Sequence, residues 1–154
     1  MHVFSDGIIL LNQKFSDEQV ALTYLSEVLV AKKIVSPDFP KQILKREETY
    51  PTGLMLSRLG VAIPHTDAQY VNQDQIGVMT LSEPVTFKSM ADPNETVPVQ
   101  MIFMLALHKS DEQPRLLQQL MTLFQEEEWM DQLYQATSTE EVLHLLDQTG
   151  LIDI

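Results

Sequence analysis

The segment VAIPHT, residues 61–66, decides how the rest of this sequence is interpreted. Three apolar residues followed by a proline are typical of a short buried strand, and the strand should end at Pro64, which has no N–H to donate. His65 would then lie where a buried strand reaches the surface. In open α/β sheets, ligands bind and reactions occur at the carboxyl ends of strands. His65 is therefore the first candidate for a functional side chain.

Composition limits the classes of protein to consider. A chain of 154 residues with 44% apolar residues can bury one core, so we expect a single domain over residues 1–154. The formal charge of −12 argues against nucleic acid and anionic membranes as partners. Without cysteine, the chain has no disulfide, catalytic thiolate or thiolate metal site. We see neither a signal-peptide pattern nor an apolar run long enough for a bilayer, so we expect a cytoplasmic protein without direct membrane insertion.

Periodicity and start signals predict a mixture of helices and strands. The strand predictions are residues 7–11 (a strand or an entry segment), 61–63, 76–81 and 97–107, the last being the most apolar. The helix predictions are residues 17–32 after a capping box at Ser16, a helix from Ser36-Pro37, a Leu-rich helix from 116 with a start signal at 110–114, a short helix near Trp129, and a last helix after Ser138. This pattern indicates an α/β or α+β domain with a mostly buried sheet between helical layers.

The four histidines of the chain suit neither a metal site nor a hydrolase site. His2 is terminal, and His144 falls on the polar side of the last helix, so both are expected to be solvated. No two histidines have a spacing that suits zinc, and no Gly-x-Ser-x-Gly segment is present to supply a serine nucleophile. We therefore expect neither a metal site nor a bound cofactor.

His65 is predicted to be a nucleophile that carries a phosphoryl group. On composition alone a packed or merely exposed histidine is more common, but Pro64 fixes the chain before it and polar residues follow it. A phosphoryl acceptor needs a neutral imidazole with one nitrogen exposed and the other N–H held by an acceptor, and a strand end provides carbonyls for that purpose. The transferred group also needs donors for its oxygens. Arg46 and Arg58 are the nearest cations in sequence, and the helix opening near Ser110 could direct N–H groups at an anion.

Three segments together resemble a known family. Residues 45–48 (KREE), 52–53 (TG) and 60–65 (GVAIPH) follow one another as in the fructose/mannitol-type enzyme IIA domain of the bacterial sugar phosphotransferase system (PTS). The chain length, the first helix, the apolar strand 101–107 and the Leu-rich helix after Gln113 also match that family's layout. The resemblance implies an α/β fold, a three-layer sandwich with a central mixed β-sheet flanked by helices.

The resemblance also implies roles for particular residues. His65 would accept a phosphoryl group from the phosphocarrier HPr and pass it to a cysteine, or in other branches a histidine, of a IIB component that works with a IIC permease. Arg46 would stabilise the phosphoryl oxygens. Without the resemblance, the preferred interpretation of Arg46 is an ordinary charge at the C-terminal end of a helix.

Two departures from the family pattern point to one branch. Many members carry a second active-site histidine where Gln113 stands here, and His108 lies five residues earlier. More residues separate Arg46 from His65 than in fructose and mannitol members. Both features, with the segment 50–53 (YPTG), resemble the galactitol-type branch. We expect a galactitol-like IIA for a hexitol or sugar, with two alternatives: a nitrogen-type regulator acting through its phosphorylation state, or an interaction module with an inactive site.

An apolar docking surface is expected near His65, because two partner proteins would use the site in turn. The candidates are apolar residues that precede the central strand, and burial in the core is an equally weighted alternative for them: Leu54, Met55, Leu56 and Leu59.

Overall fold

The computed structural model describes residues 3–108 and 113–149. His2 and Ser110, together with most of the predicted start signal at 110–114, lie outside the described residues. Among the helices of the described residues, none has the length and hydropathy needed to cross a membrane.

The described residues form five strands, five α-helices and a short 3-10 turn. The strands are β1 (Ile9–Gln13), β2 (Gly53–Met55), β3 (Gly60–Ala62), β4 (Gln75–Lys88) and β5 (Thr96–Ala106). The helices are α1 (Glu18–Ala31), α2 (Phe39–Thr49), α3 (Gln113–Leu123), α4 (Glu127–Gln135) and α5 (Thr139–Asp147), and the 3-10 turn is Ala68–Tyr70. The strand predicted at 76–81 continues to Lys88, and its pairing with β5 is irregular between Thr80 and Val85, where Pro84 cannot donate a hydrogen bond.

The strands form one mixed sheet in the order β1-β4-β5-β3-β2. β1 is parallel to β4 and β3 is parallel to β5, while the β4–β5 and β2–β3 pairs are antiparallel. The short strand β3 therefore lies between the long strand β5 and the edge hairpin partner β2. This arrangement confirms the expected central mixed sheet.

Each face of the sheet has its own apolar core. Along β5, Met101, Phe103 and Leu105 face one core, while Ile102 and Met104 face the other, as the alternation of a strand requires. The first core is completed by α3, α4 and α5, and the second by α1 and α2. The predicted three-layer α/β sandwich is thus confirmed.

Two glycines of the family-like segments allow close contact between strands. A Cβ on Gly60 would come within 2.4 Å of the Pro98 carbonyl oxygen, and one on Gly53 within 2.6 Å of the Lys88 carbonyl oxygen. Any larger residue would push β3 away from β5, or β2 away from the end of β4. Glycine at these positions keeps the strand before His65 in place.

Helix α2 brings Arg46 to the sheet. It begins at Phe39, later than the predicted start at Ser36, and its buried stripe consists of Phe39, Ile43 and Glu47 at intervals of four residues. The helix ends at Thr49, where the Tyr50 N–H donates to the Arg46 carbonyl oxygen at 2.7 Å. Arg46 is therefore in the last turn, immediately before the chain enters β2.

Candidate functional site

His65 is held at the carboxyl end of β3, beside β5. The Leu105 N–H donates to the Pro64 carbonyl oxygen at 3.0 Å, and His65 is in register with Leu105. The side chain of His65 is half-buried. The structure thus places this histidine where the sequence predicted, at the end of a buried strand.

One ring nitrogen of His65 is occupied and the other is free to react. Nδ1 lies 2.9 Å from the Ile63 carbonyl oxygen. Because a carbonyl can only accept, Nδ1 carries the proton and Nε2 keeps its lone pair. Burial lowers the pKa of His65 below 6.5, the bond to Ile63 opposes that effect, and the charge of Arg46 lowers the pKa further. The imidazole is therefore neutral at pH 7.

Arg46 lies near this ring, and its guanidinium has N–H groups that are not used in hydrogen bonds within the described part of the chain. Its guanidinium carbon is 4.6 Å from the centroid of the Tyr50 ring, and its Nη1 is 3.8 Å from Oδ1 of Asp67. Its Nε is buried and has no hydrogen-bond partner among the described residues. The side chain is 39% exposed, so its N–H groups can still reach an anion from solvent.

Gln113 reaches the same edge of the sheet from the start of α3. Its Nε2 donates to the carbonyl oxygen of Thr66 at 3.2 Å, next to His65 in the chain. An amide nitrogen carries two N–H groups, so one remains for another acceptor. The residue found by aligning the Leu-rich helix therefore lies beside the candidate nucleophile.

His108 follows β5 and is anchored elsewhere. Its Nδ1 lies 2.9 Å from the carbonyl oxygen of Val71, and its backbone N–H donates to Asp74 at 2.5 Å. Leu105 is in register with His65, so His108 lies three residues further along the chain. The ring is fixed against the loop before β4, whereas Gln113 contacts the segment that carries His65.

Arg58 and the residues before β3 do not belong to this site. Arg58 forms ion pairs with Glu127 and Asp131 of α4. In the antiparallel β2–β3 pair, Met55 is opposite Gly60, at the amino end of β3 and away from His65. Met55 is 56% exposed there, so the docking surface expected before the strand stays a prediction for this residue. Core packing is the correct alternative for Leu59, which is buried, and for the two leucines packed against the core, Leu54 and Leu56.

Sequence reasoning missed the buried carboxyl group of Glu47. It is 6% exposed and accepts two hydrogen bonds from Thr52, from the N–H at 2.7 Å and from the hydroxyl at 2.9 Å. Burial raises the pKa of Glu47 to about 7, although both bonds from Thr52 act to lower it. The spacing of the apolar residues of α2 could have indicated this burial, because Glu47 follows Phe39 and Ile43 at the same interval of four residues.

Within residues 3–108 and 113–149, no group of three or more histidine, aspartate and glutamate side chains could hold a metal ion. The arrangement at the end of β3 is suited instead to a neutral nitrogen nucleophile beside a cation.

Comparison with known families decides the class of protein. The family model described as "Phosphoenolpyruvate-dependent sugar phosphotransferase system, EIIA 2" matches residues 2–149. The chain belongs to this EIIA 2 family. The resemblance carried by residues 45–65 is thereby confirmed, and membership supports a phosphoryl-transfer role for the chain.

Individual EIIA proteins are similar over most of the chain. The galactitol-specific EIIA component of the PTS of Escherichia coli strain K12 is 28% identical over 126 residues, which cover 82% of this chain and 83% of that protein. The crystal structure of a PTS IIA protein (PtxA) from Streptococcus mutans is 25% identical, with a TM-score of 0.80, and covers 96% of this chain and 92% of that one. A complex of enzyme IIAMTL with phosphorylated enzyme IIBMTL from Escherichia coli shares the fold, with a TM-score of 0.76 at 24% identity and coverage of 92% and 95%.

Proposed function

We propose that this EIIA 2 protein carries a phosphoryl group on Nε2 of His65, between HPr and a IIB component. The observation that supports this most directly is the fixed ring of His65, whose Nδ1–H is held by Ile63 and whose other nitrogen is unprotonated. Neutrality at pH 7 keeps that nitrogen nucleophilic.

The proposed reaction consists of two transfers. The lone pair of His65 Nε2 attacks the phosphorus of phospho-HPr, and the broken P–N bond returns its electron pair to the histidine of HPr. Positive charge develops on the His65 ring, and the Nδ1–H bond to the Ile63 carbonyl stabilises it. In the second transfer a cysteine thiolate of IIB attacks the phosphorus, and the Nε2–P bond breaks with its electrons returning to the nitrogen.

Two side chains are proposed to bind the phosphoryl oxygens. Arg46 supplies a cation and N–H donors from a side chain that is 39% exposed. Gln113 supplies an amide N–H in place of a second histidine, since its side chain already contacts Thr66. The glutamine cannot become cationic, so Arg46 carries most of the charge stabilisation.

The physiological context is proposed from the relatives. We expect one domain over residues 1–154 working in the cytoplasm, where HPr and a IIB component with its IIC permease would feed uptake of galactitol or a similar hexitol. The support is the similarity to a galactitol-specific EIIA component over most of both chains. The sugar itself would not contact this domain.

Phosphoryl labelling tests the proposal. With labelled phosphoenolpyruvate, enzyme I and HPr, wild-type protein should gain one acid-labile phosphoryl group and His65→Ala should gain none. His144→Ala is the matched control, because His144 is exposed on α5 and should leave labelling intact. A labelled His65→Ala protein would disprove the assignment. A labelled wild-type protein that cannot transfer to its IIB partner would favour the regulatory alternative.

A further inference from the structure

The chain leaving α2 holds Arg46 at two points. The Tyr50 N–H donates to the carbonyl oxygen of Arg46 at 2.7 Å, and the Tyr50 ring lies 4.6 Å from the guanidinium carbon. The backbone and the side chain of Arg46 therefore both depend on where Tyr50 lies. Tyr50 itself is exposed, so something else must fix the segment 50–52.

Glu47 fixes the other end of that segment. Both of its carboxyl oxygens accept from Thr52, one from the backbone N–H and one from the hydroxyl, at 2.7 and 2.9 Å. Thr52 is 3% exposed, so neither bond is exchanged freely with water. One side chain on the last turns of α2 thus determines the path of the chain between the helix and β2.

The connection continues to the strand that carries His65. Gly53 is paired with Ala62 of β3, and the Gly53 carbonyl oxygen accepts from the Met90 N–H at 2.8 Å. Because Thr52 directly precedes Gly53, the two hydrogen bonds of Glu47 join α2 to the sheet.

We propose that Glu47 is a positioning residue, which holds Arg46 within reach of a phosphoryl group on His65 by way of Thr52 and Tyr50. This inference rests on the proposed function of His65. Burying a carboxyl group at the third position of the buried stripe costs desolvation free energy, which an apolar side chain at this position would not. Its hydrogen bonds to Thr52 account for a carboxyl group at this position.

Glu47→Ala removes both bonds and is the first variant to measure. We expect phosphoryl transfer from HPr to slow by about tenfold, less than the roughly 100-fold that a 1 Å misplacement can cause. Glu47→Gln should stay within about twofold of wild type, because its amide can accept from the Thr52 N–H and donate to the Thr52 hydroxyl oxygen. Glu48→Ala is the matched control, since this neighbouring carboxylate is exposed and its removal should leave the rate unchanged.

Two further readouts separate positioning from damage to the fold. If Glu47 acts through Arg46, the double variant R46A/E47A should be no slower than R46A alone. The charge of Arg46 lowers the pKa of His65, so an NMR titration should show that pKa rising in Glu47→Ala and unchanged in Glu47→Gln. Thr52→Val removes the hydroxyl donor alone, and it carries the test if Glu47→Ala does not fold.

Several results would overturn the positioning role while His65 remained labelled. The first is a wild-type transfer rate in Glu47→Ala or, where that variant does not fold, in Thr52→Val. The second is a double variant R46A/E47A in which the two rate reductions multiply. The third is a Glu47→Gln protein as slow as Glu47→Ala, which would assign the effect to charge. Failure of the proposed function looks different, because His65 would then not be labelled in any variant, including wild type.

Discussion

Replacing Glu47 by glutamine should change how the stability of the protein depends on pH. Glu47 is buried, and burial raises the pKa of its carboxyl group from 4.5 to about 7. A group whose pKa is raised on folding favours the folded state fully below its unfolded pKa, and that contribution is lost as the pH rises through the folded pKa. The contribution of Glu47 to the stability of the wild-type protein should therefore fall between pH 4.5 and about 7.

The size of the effect follows from the two pKa values. A tenfold difference in proton affinity corresponds to about 1.4 kcal/mol, so the interval from 4.5 to about 7 amounts to about 3 kcal/mol at high pH. Between pH 5 and pH 8 most of this change occurs, about 2 to 3 kcal/mol. Glu47→Gln has no such proton to lose, so its free energy of unfolding relative to wild type should rise by that amount.

Urea unfolding followed by circular dichroism at pH 5, 6, 7 and 8 measures the difference. The other acidic residues of this chain, whose net charge is −12, are the same in both proteins, so the comparison reports on Glu47. Glu48→Gln is the control, because it removes the same formal charge from an exposed neighbouring position. A Glu47→Gln difference that is constant within about 0.5 kcal/mol from pH 5 to pH 8 would refute the reasoning.

Three other predictions concern the phosphoryl site. Arg46→Ala should keep the urea midpoint of wild type and slow phosphoryl transfer by roughly 100-fold, as loss of a charge-stabilising donor does. It should also raise the pKa of His65 in an NMR titration, and unchanged transfer kinetics would remove Arg46 from the site. Because the pKa of His65 is lowered, the midpoint at which acid slows its phosphorylation should lie below pH 6.5, and a midpoint at or above 6.5 would contradict the burial argument. Gln113→Ala should slow transfer by about threefold, the loss of one neutral hydrogen bond, whereas His108→Ala should stay near wild type; the reverse order would assign the second donor to His108.

Helix starts were predictable from sequence to within a residue where a capping side chain marks them. Ser138 is the N-cap of α5 as predicted, since its side chain accepts from the Glu141 N–H. The reciprocal half of the capping box differs, because the Glu141 carboxylate accepts from the Thr137 N–H. For α1 the cap is Asp17 instead of Ser16, and it accepts from the Val20 N–H. Adjacent residues with equivalent capping groups cannot be ranked from sequence, because the packing of the helix on the sheet selects between them.

In the candidate site, too, residues with a local sequence signal were predictable and contacts that depend on tertiary packing were not. His65 was predictable because Pro64 ends the strand in front of it, and Arg46 because the family segment contains it. The bonds of Glu47 to Thr52 were not, since they depend on how α2 meets the sheet. The position of Met55 was not predictable either: because β2 runs antiparallel to β3, this residue lies opposite Gly60, at the amino end of β3.

The manner in which Arg46 is held suits the proposed role of a carrier that must release the group it accepts. Its backbone is fixed through Tyr50, whereas its charged end meets Asp67 at 3.8 Å in a pair that is 39% and 67% exposed. Exposed ion pairs of this kind contribute little free energy. In the proposed function, the guanidinium would leave Asp67 for an incoming phosphoryl group at small cost and return when that group departs. A stronger, buried pair would keep the cation from the phosphoryl group. Without the fixed backbone, an arginine free to search would lose the orientation that transfer requires.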